Sequence, residues 1–78
     1  SGLSRAPLDV TAVLAETTIT LKDLLDMQPG DIIVTEKLSS EPIVLCVEGE
    51  KKFLGHVGQH RGNRAIRVHR AAQPGDRI

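Results

Sequence analysis

Apolar and polar residues alternate over the first part of the chain. Positions 8, 10, 12 and 14 are leucine, valine or alanine, whereas Asp9 and Thr11 stand between them. In an extended chain these two sets point to opposite faces, which is the pattern of a half-buried β-strand. We therefore predict a strand over residues 8–15. The β-branched run at 17–19 is expected to continue that strand or to start another.

The period changes at Thr20, where a short helix is predicted. Leu21, Leu24 and Leu25 follow with helical spacing, and Asp23 stands three residues after Thr20, as in a capping box. Residues 28–30, Gln-Pro-Gly, end the segment, since proline disfavours helix in the residue before it and glycine accepts a positive φ. A helix of about two turns is not stable alone, so we expect it to pack on a sheet.

The remainder of the chain is expected to form strands. Residues 31–35 are predicted as a short strand buried on both sides, and Pro42 precedes another at 43–47. Turns at 48–50 and 61–63 predict hairpins into strands 52–57 and 64–69. In the last strand Ile66 and Val68 should face inward, with Arg67 and His69 facing out. The expected architecture is five or six strands with one helix, closed as a barrel or an intertwined sheet because an open sheet leaves exposed edges.

The composition predicts a thin, aliphatic core. Leu, Ile and Val make up 22 of the 78 residues, which excludes intrinsic disorder, but Phe53 is the only aromatic residue. Cys46 has no second cysteine to pair with, which fits a reducing compartment. No apolar run approaches the roughly 20 residues of a membrane-spanning helix, and no direct membrane insertion is expected. Oligomerisation is therefore the expected source of additional buried surface.

Charge is distributed unevenly although the formal net charge is zero. Residues 1–50 carry three cations against nine acids, whereas residues 51–70 carry six cations and no acid. Such asymmetry is typical either of a nucleic-acid surface or of two halves that face one another or a partner. Proteins that bind single strands usually add aromatic side chains for base stacking, and only Phe53 is present. Nucleic-acid binding by the basic 51–70 hairpin is therefore the less favoured alternative.

No pattern of residues indicates an enzyme, a metal site or a cofactor. His56 and His60 would lie about 13 Å apart on a strand, too far to share an ion, and no second motif accompanies them or His69. Asp23 is explained by the helix cap and Asp26 by an exposed helix face. The sequence thus favours a binding or assembly role over catalysis.

The order of these elements resembles a known family. Residues 8–15 (LDVTAVLA), 18–25 (TITLKDLL) and 29–33 (PGDII), followed by Pro42, Gly49 and the final hairpin, are similar to the SpoA (surface presentation of antigens) domain. That domain closes the flagellar motor switch proteins FliM and FliN and their type III secretion counterparts. Residues 52–58 (KFLGHVG) and 64–68 (RAIRV) resemble the FliM ending, and the acidic stretch usual in FliN is missing. We expect the SpoA domain at 8–70, a vector-derived remnant or linker at 1–7 and a flexible tail at 71–78.

The resemblance implies a small SpoA-type barrel that forms an intertwined, segment-swapped dimer, with itself or with a FliN-type domain. It implies a structural role with other ring subunits in the flagellar C-ring, at the cytoplasmic side of the inner membrane, in motility and chemotactic switching. A type III secretion ring is the alternative. Leu21, Leu24 and Leu25 would cover one end of the core, and Arg61, Arg64 and Arg67 would set the register. The expected shared core comprises Val10, Leu14, Ile32, Val34, Ile43, Leu45, Val47, Phe53, Ile66 and Val68.

Overall fold

The computed structural model describes residues 2–78, so Ser1 of the expected linker lies outside them. A short 3-10 helix at Gly2–Arg5 comes first. The other elements are strand β1 (Val10–Val13), helix α1 (Leu21–Asp26), and strands β2 (Ile43–Val47), β3 (Glu50–His60) and β4 (Asn63–Ala71). The protein is therefore mainly β with one short α-helix, as the residue pattern predicts.

The four strands form one antiparallel sheet in the order β1-β2-β3-β4. Two-residue turns join β2 to β3 and β3 to β4. Both central residues have positive φ in each turn, at 50° for Glu48 and 82° for Gly49, and at 51° for Arg61 and 84° for Gly62. This backbone suits the twist of paired strands. Both predicted hairpins are confirmed.

Helix α1 begins as the sequence predicts. The Thr20 hydroxyl accepts a hydrogen bond from the Asp23 N–H at 3.0 Å, and the Asp23 carboxylate accepts one from the Thr20 N–H at 3.2 Å. This reciprocal pair is a capping box. The helix packs on none of the four strands, so the expected coverage of a sheet by Leu21, Leu24 and Leu25 is not made within one chain.

Two predicted strands are absent from the described chain. Neither 17–19 nor 31–35 is a strand, which leaves four strands where five or six were expected. Ile32 and Val34, predicted to be buried, are 86% and 79% exposed. A strand needs a neighbour to satisfy its N–H and C=O groups, and the folded chain brings none to this segment. Since β1 and β4 are not paired with each other within residues 2–78, the sheet of the single chain is open, not a closed barrel.

The single chain is extended and buries little. Its accessible surface is 7014 Å², whereas a compact protein of this mass exposes about 4,600 Å². Its radius of gyration is 15.7 Å, against about 11.5 Å for a compact domain of this length. The buried hydrophobic residues all belong to two strands: Ile43, Val44, Leu45, Cys46 and Leu54. The fold therefore leaves much of its apolar surface without cover.

Residues 72–78, which we call the strap, fold back on the sheet. The Ala72 N–H donates to the Lys52 carbonyl at 2.9 Å. The Arg70 guanidinium donates to both carboxylate oxygens of Asp76, each at 2.9 Å, and the Gln73 N–H donates to the same carboxylate at 2.7 Å. The sequence predicts a flexible tail here, and its mobility stays a prediction. In the folded chain the ion pair between Arg70 and Asp76 holds this segment to the sheet.

The pH dependence of the strap follows from Asp76. Hydrogen bonds from Arg70 and then from the Gln73 N–H lower the pKa of the Asp76 carboxyl from 3.8 to about 2. A depressed pKa means that the ionised form is stabilised by folding, so its contribution is present above 3.8 and is lost as the pH falls towards 2. In an NMR titration the Gln73 amide should shift with a midpoint near 2, and R70Q should move that midpoint upward. A wild-type midpoint at 3.8 would contradict this ion pair.

Candidate pairing surface

Strand register gives the sheet two faces of different chemistry. Val10 pairs with Val47, and Leu45 pairs with both Ala12 and Phe53. Because paired residues share a face and positions two apart along a strand share it too, one face is almost wholly apolar. We call it the apolar face. Glu50, Gln59 and Arg64 lie at its ends, and its apolar members are Val10, Ala12, Ile43, Leu45, Val47, Phe53, Gly55, Val57, Ile66, Val68 and Ala71.

The apolar face is buried in its middle and open around it. Ile43 and Leu45 on β2 are 5% and 6% exposed, whereas Val10, Val57 and Val68 on the other strands are each more than half exposed. Full burial of a valine contributes roughly 1.5–3 kcal/mol, and each of these valines leaves more than half of that contribution unused. A contiguous open apolar face is typical of a surface that another protein segment covers.

The opposite face of the sheet has a buried cluster of its own, on β2 and β3. Val44, Cys46 and Leu54 form its buried cluster, and Val13 and Ile78 pack against them. We call this the covered face. Further along the β3–β4 hairpin the rings of His56 and His69 meet edge to face, with centroids 5.4 Å apart. The covered face therefore has its own apolar centre, and its hairpin end carries polar rings.

Residues 14–36, which we call the arm, expose most of their apolar side chains. The arm leaves the end of β1 and contains α1. The two ends of the arm, which we call its roots, lie near the sheet, since Leu14 and Thr35 line a cavity with Ile43 and Gly55. Between the roots its large apolar residues are exposed: Ile19, Leu21, Leu24, Leu25, Ile32, Ile33 and Val34. An apolar arm and an open apolar face on the same chain are complementary in chemistry.

The predicted shared core is divided between these two parts. Seven of its ten residues lie on the apolar face, and Leu14, Ile32 and Val34 lie on the arm. Their contribution to a dimer stays a prediction. Val57 belongs to the apolar face but was missed, although it stands two and four residues beyond Gly55 and Phe53. Strand alternation alone was enough to include it.

The three arginines predicted to set the register do not form one patch. Arg61 lies in the β3–β4 turn. Arg64 pairs with Gln59 on the apolar face, whereas Arg67 pairs with His56 on the covered face. An odd spacing along a strand places two side chains on opposite faces. Arg64 is therefore the strand arginine placed beside the candidate pairing surface.

Two other kinds of feature are absent from the part of the chain that the structure describes. Residues 2–78 contain no group of three or more histidine, cysteine, aspartate or glutamate side chains arranged to hold a metal ion. No helix among them has the length and apolar character needed to cross a membrane.

Comparison with known proteins gives consistent matches. The family described as "Type III flagellar switch regulator (C-ring) FliN C-term" matches residues 1–73. The flagellar motor switch protein FliM of Thermotoga maritima is 38% identical over 64 residues, 82% of this chain and 20% of the relative. FliM of Pseudomonas aeruginosa is 35% identical over 69 residues, 88% of this chain and 20% of the relative. FliM of Bacillus subtilis is 29% identical over 63 residues, 81% of this chain and 19% of the relative. The chain spans about a fifth of each relative's length.

Proposed function

The chain belongs to the family of FliM/FliN-type C-terminal domains of flagellar switch regulators, and we propose that it is a structural assembly module that builds the C-ring by pairing with another such domain. The observation that carries this proposal is the unburied apolar surface of the apolar face and the arm. A domain whose role is assembly needs a surface that becomes buried, and so stabilises the complex, when a partner covers it.

The size of that surface fits a permanent pair of chains. The single chain exposes 7014 Å², about 2,400 Å² more than a compact protein of its mass. If two chains cover this excess, the pair buries on the order of 4,800 Å², which lies within the size range of permanent complexes. Because these interfaces resemble a domain core cut in half, the missing half of this core belongs to the partner.

Exchange of the arm provides the simplest geometry for the pair. α1 packs on no strand of its own chain. The segment of Ile32 and Val34, which has the pattern of a strand, pairs with no strand of the sheet. Laid across the apolar face of a partner, the arm would cover Val57 and Val68 and receive the neighbours it lacks. Two chains that exchange arms in this way form an intertwined dimer, a low-cost route to association.

The partner is a second copy of this domain or a FliN-type domain. The relatives are flagellar motor switch proteins, which favours the flagellar ring over a type III secretion ring. In that ring the domain would contact other switch subunits in the cytoplasm, beside the inner membrane, and contribute to motility and chemotactic switching. These roles concern a protein about five times longer than the matched region, so they are part of the proposal.

Nucleic-acid binding is not favoured by the arrangement of the basic hairpin. Arg64 and Arg67 lie on opposite faces of β4, so these two cations do not follow one groove. Phe53, the only aromatic residue, belongs to the apolar face beside Leu45. Single-strand binding needs a charged groove together with stacking side chains, and this hairpin separates the two.

The molar mass in solution tests the proposal. Light scattering behind gel filtration, over a tenfold range of concentration, should give a constant value near twice 8.4 kDa. Pairing should persist at high salt, because burial of apolar surface is not weakened by screening. A folded chain that stays monomeric over this range would overturn pairing with itself. Titration with a FliN-type domain then tests the second partner in the same measurement.

Arg64 is expected to contribute to the pairing affinity, in contrast to Arg67. The acidic arm of a partner that lies on the apolar face would approach Arg64, and R64E would replace attraction by repulsion. Surface charge pairs contribute about 0.2–1 kcal/mol, so Kd should rise up to roughly fivefold at low salt and less at high salt. R67E, on the covered face, is the matched control and should leave Kd unchanged. Equal effects of the two variants on Kd would refute the placement of the partner's arm beside Arg64.

A further inference from the structure

We infer that the strap holds the two roots of the arm against the sheet and thereby favours exchange of the arm between chains over its return to its own sheet. The inference rests on the proposed pairing by arm exchange. It concerns what makes the arm bind a partner chain and not its own sheet, which the pairing surface by itself does not explain.

The strap is first anchored to the hairpin. Asp76 accepts two hydrogen bonds from Arg70 on β4. Its backbone carbonyl accepts another from the Lys51 ammonium on β3, at 2.8 Å. A charge-assisted, bidentate pair fixes orientation as well as distance. The strap is therefore fixed to both strands of the hairpin at one residue.

The end of the strap reaches both roots of the arm. The Lys37 ammonium donates to the Arg77 carbonyl at 2.9 Å, across forty residues of chain. The Lys37 side chain is only 11% exposed and lies 4.0 Å from the Glu41 carboxylate. Arg77 and Ile78 line a cavity together with Glu16, where the arm departs, and with Glu36, where it returns. One short segment thus binds the chain just after the arm and lines the same cavity as both roots.

The strap is also packed on the core. Ile78 lies against the cluster of Val44, Cys46 and Leu54 on the covered face. The same segment therefore joins the hairpin, the covered face and the arm roots. Holding both roots leaves the arm less freedom before it binds, so less conformational entropy is lost on pairing. Held roots also hinder the arm from folding back onto its own apolar face.

Two variants weaken the strap by different interactions. D76N removes the charge that binds Arg70, and I78A removes the apolar contact with the covered face. Opening of the strap is measured by the rate at which Cys46, buried beside Ile78, reacts with a thiol reagent in sub-denaturing urea. In each variant this rate should rise at least about tenfold without a stronger dependence on urea, which marks local opening. The Kd of pairing, measured by sedimentation, should rise roughly tenfold.

R67Q is the matched control, since it also removes one charge, but Arg67 lies on the covered face, paired with His56 and outside the strap. It should change neither the Cys46 rate nor Kd. A higher Cys46 rate with an unchanged Kd would overturn the inference and leave the proposed pairing intact. An unchanged Cys46 rate in both variants would contradict the claim that these contacts hold the strap closed beside Cys46. A wild-type chain that stays monomeric would instead reject the proposed pairing.

Discussion

Val57→Asp is expected to dissociate the pair while the single chain remains folded. Val57 lies on the apolar face and is 60% exposed in the single chain, so an aspartate there stays hydrated until a partner covers it. Covering an unpaired charge costs about 3 kcal/mol or more, which raises Kd by roughly a hundredfold. Sedimentation equilibrium measures this change, and circular dichroism should show an unchanged content of strand.

The control is the neighbouring residue in the same strand. His56→Asp introduces the same side chain with a similar cost in strand propensity, but on the covered face. It should leave Kd within about twofold of the wild type. Leu45→Asp is a poorer test, because Leu45 is already 6% exposed in the single chain and the change would unfold it. Equal loss of pairing in V57D and H56D would refute the assignment of the apolar face.

Gly55→Ala is expected to destabilise the fold itself. A Cβ at this position would lie 2.7 Å from the Arg67 carbonyl oxygen and 2.7 Å from the Ile66 Cγ2. The carbonyl belongs to the backbone of β4, so the hairpin must shift near its bulge between Leu54 and Gly55. Overpacking of this kind costs about 1–3 kcal/mol, a large part of the roughly 3–5 kcal/mol that a core of this size supplies. Urea unfolding measures the loss.

Gly58→Ala provides the matched comparison, because a Cβ at Gly58 meets nothing within 4 Å. This glycine lies in the same strand, and the substitution removes only backbone freedom from the unfolded chain. Its stability should equal that of the wild type or exceed it by up to about 1 kcal/mol. If G55A and G58A had the same stability, the close approach of β3 and β4 at Gly55 would be wrong.

The sequence was most informative where a local rule decides the structure. The helix cap at Thr20 and Asp23 needs only residues three apart, and both are placed as predicted. The hairpin turns at Gly49 and Gly62 need only a residue that accepts positive φ. The alternation of Ile66 and Val68 with Arg67 follows from the period of a strand. Each of these features depends on interactions within a few residues.

Prediction was poorer where the structure depends on a distant or absent neighbour. Residues 31–35 have the pattern of a buried strand, but in the single chain no strand lies beside them, so Ile32 is exposed. The strap could not be foreseen either, because Arg70 and Lys37 bind it through contacts that cross 6 and 40 residues of chain. Its sequence, rich in proline, glycine and charge, is typical of a tail.

By itself the sequence determined the class of the protein: a mainly β domain with one capped helix, a thin aliphatic core and the motif order of its family. Only the tertiary structure decided which face of the sheet is open, that Arg64 and Arg67 lie on opposite sides, and that the strap meets the arm roots. Local patterns fix φ and ψ and determine which residues of a strand share a face of the sheet. Which side is covered depends on contacts between distant segments, and these exist only once the chain has folded.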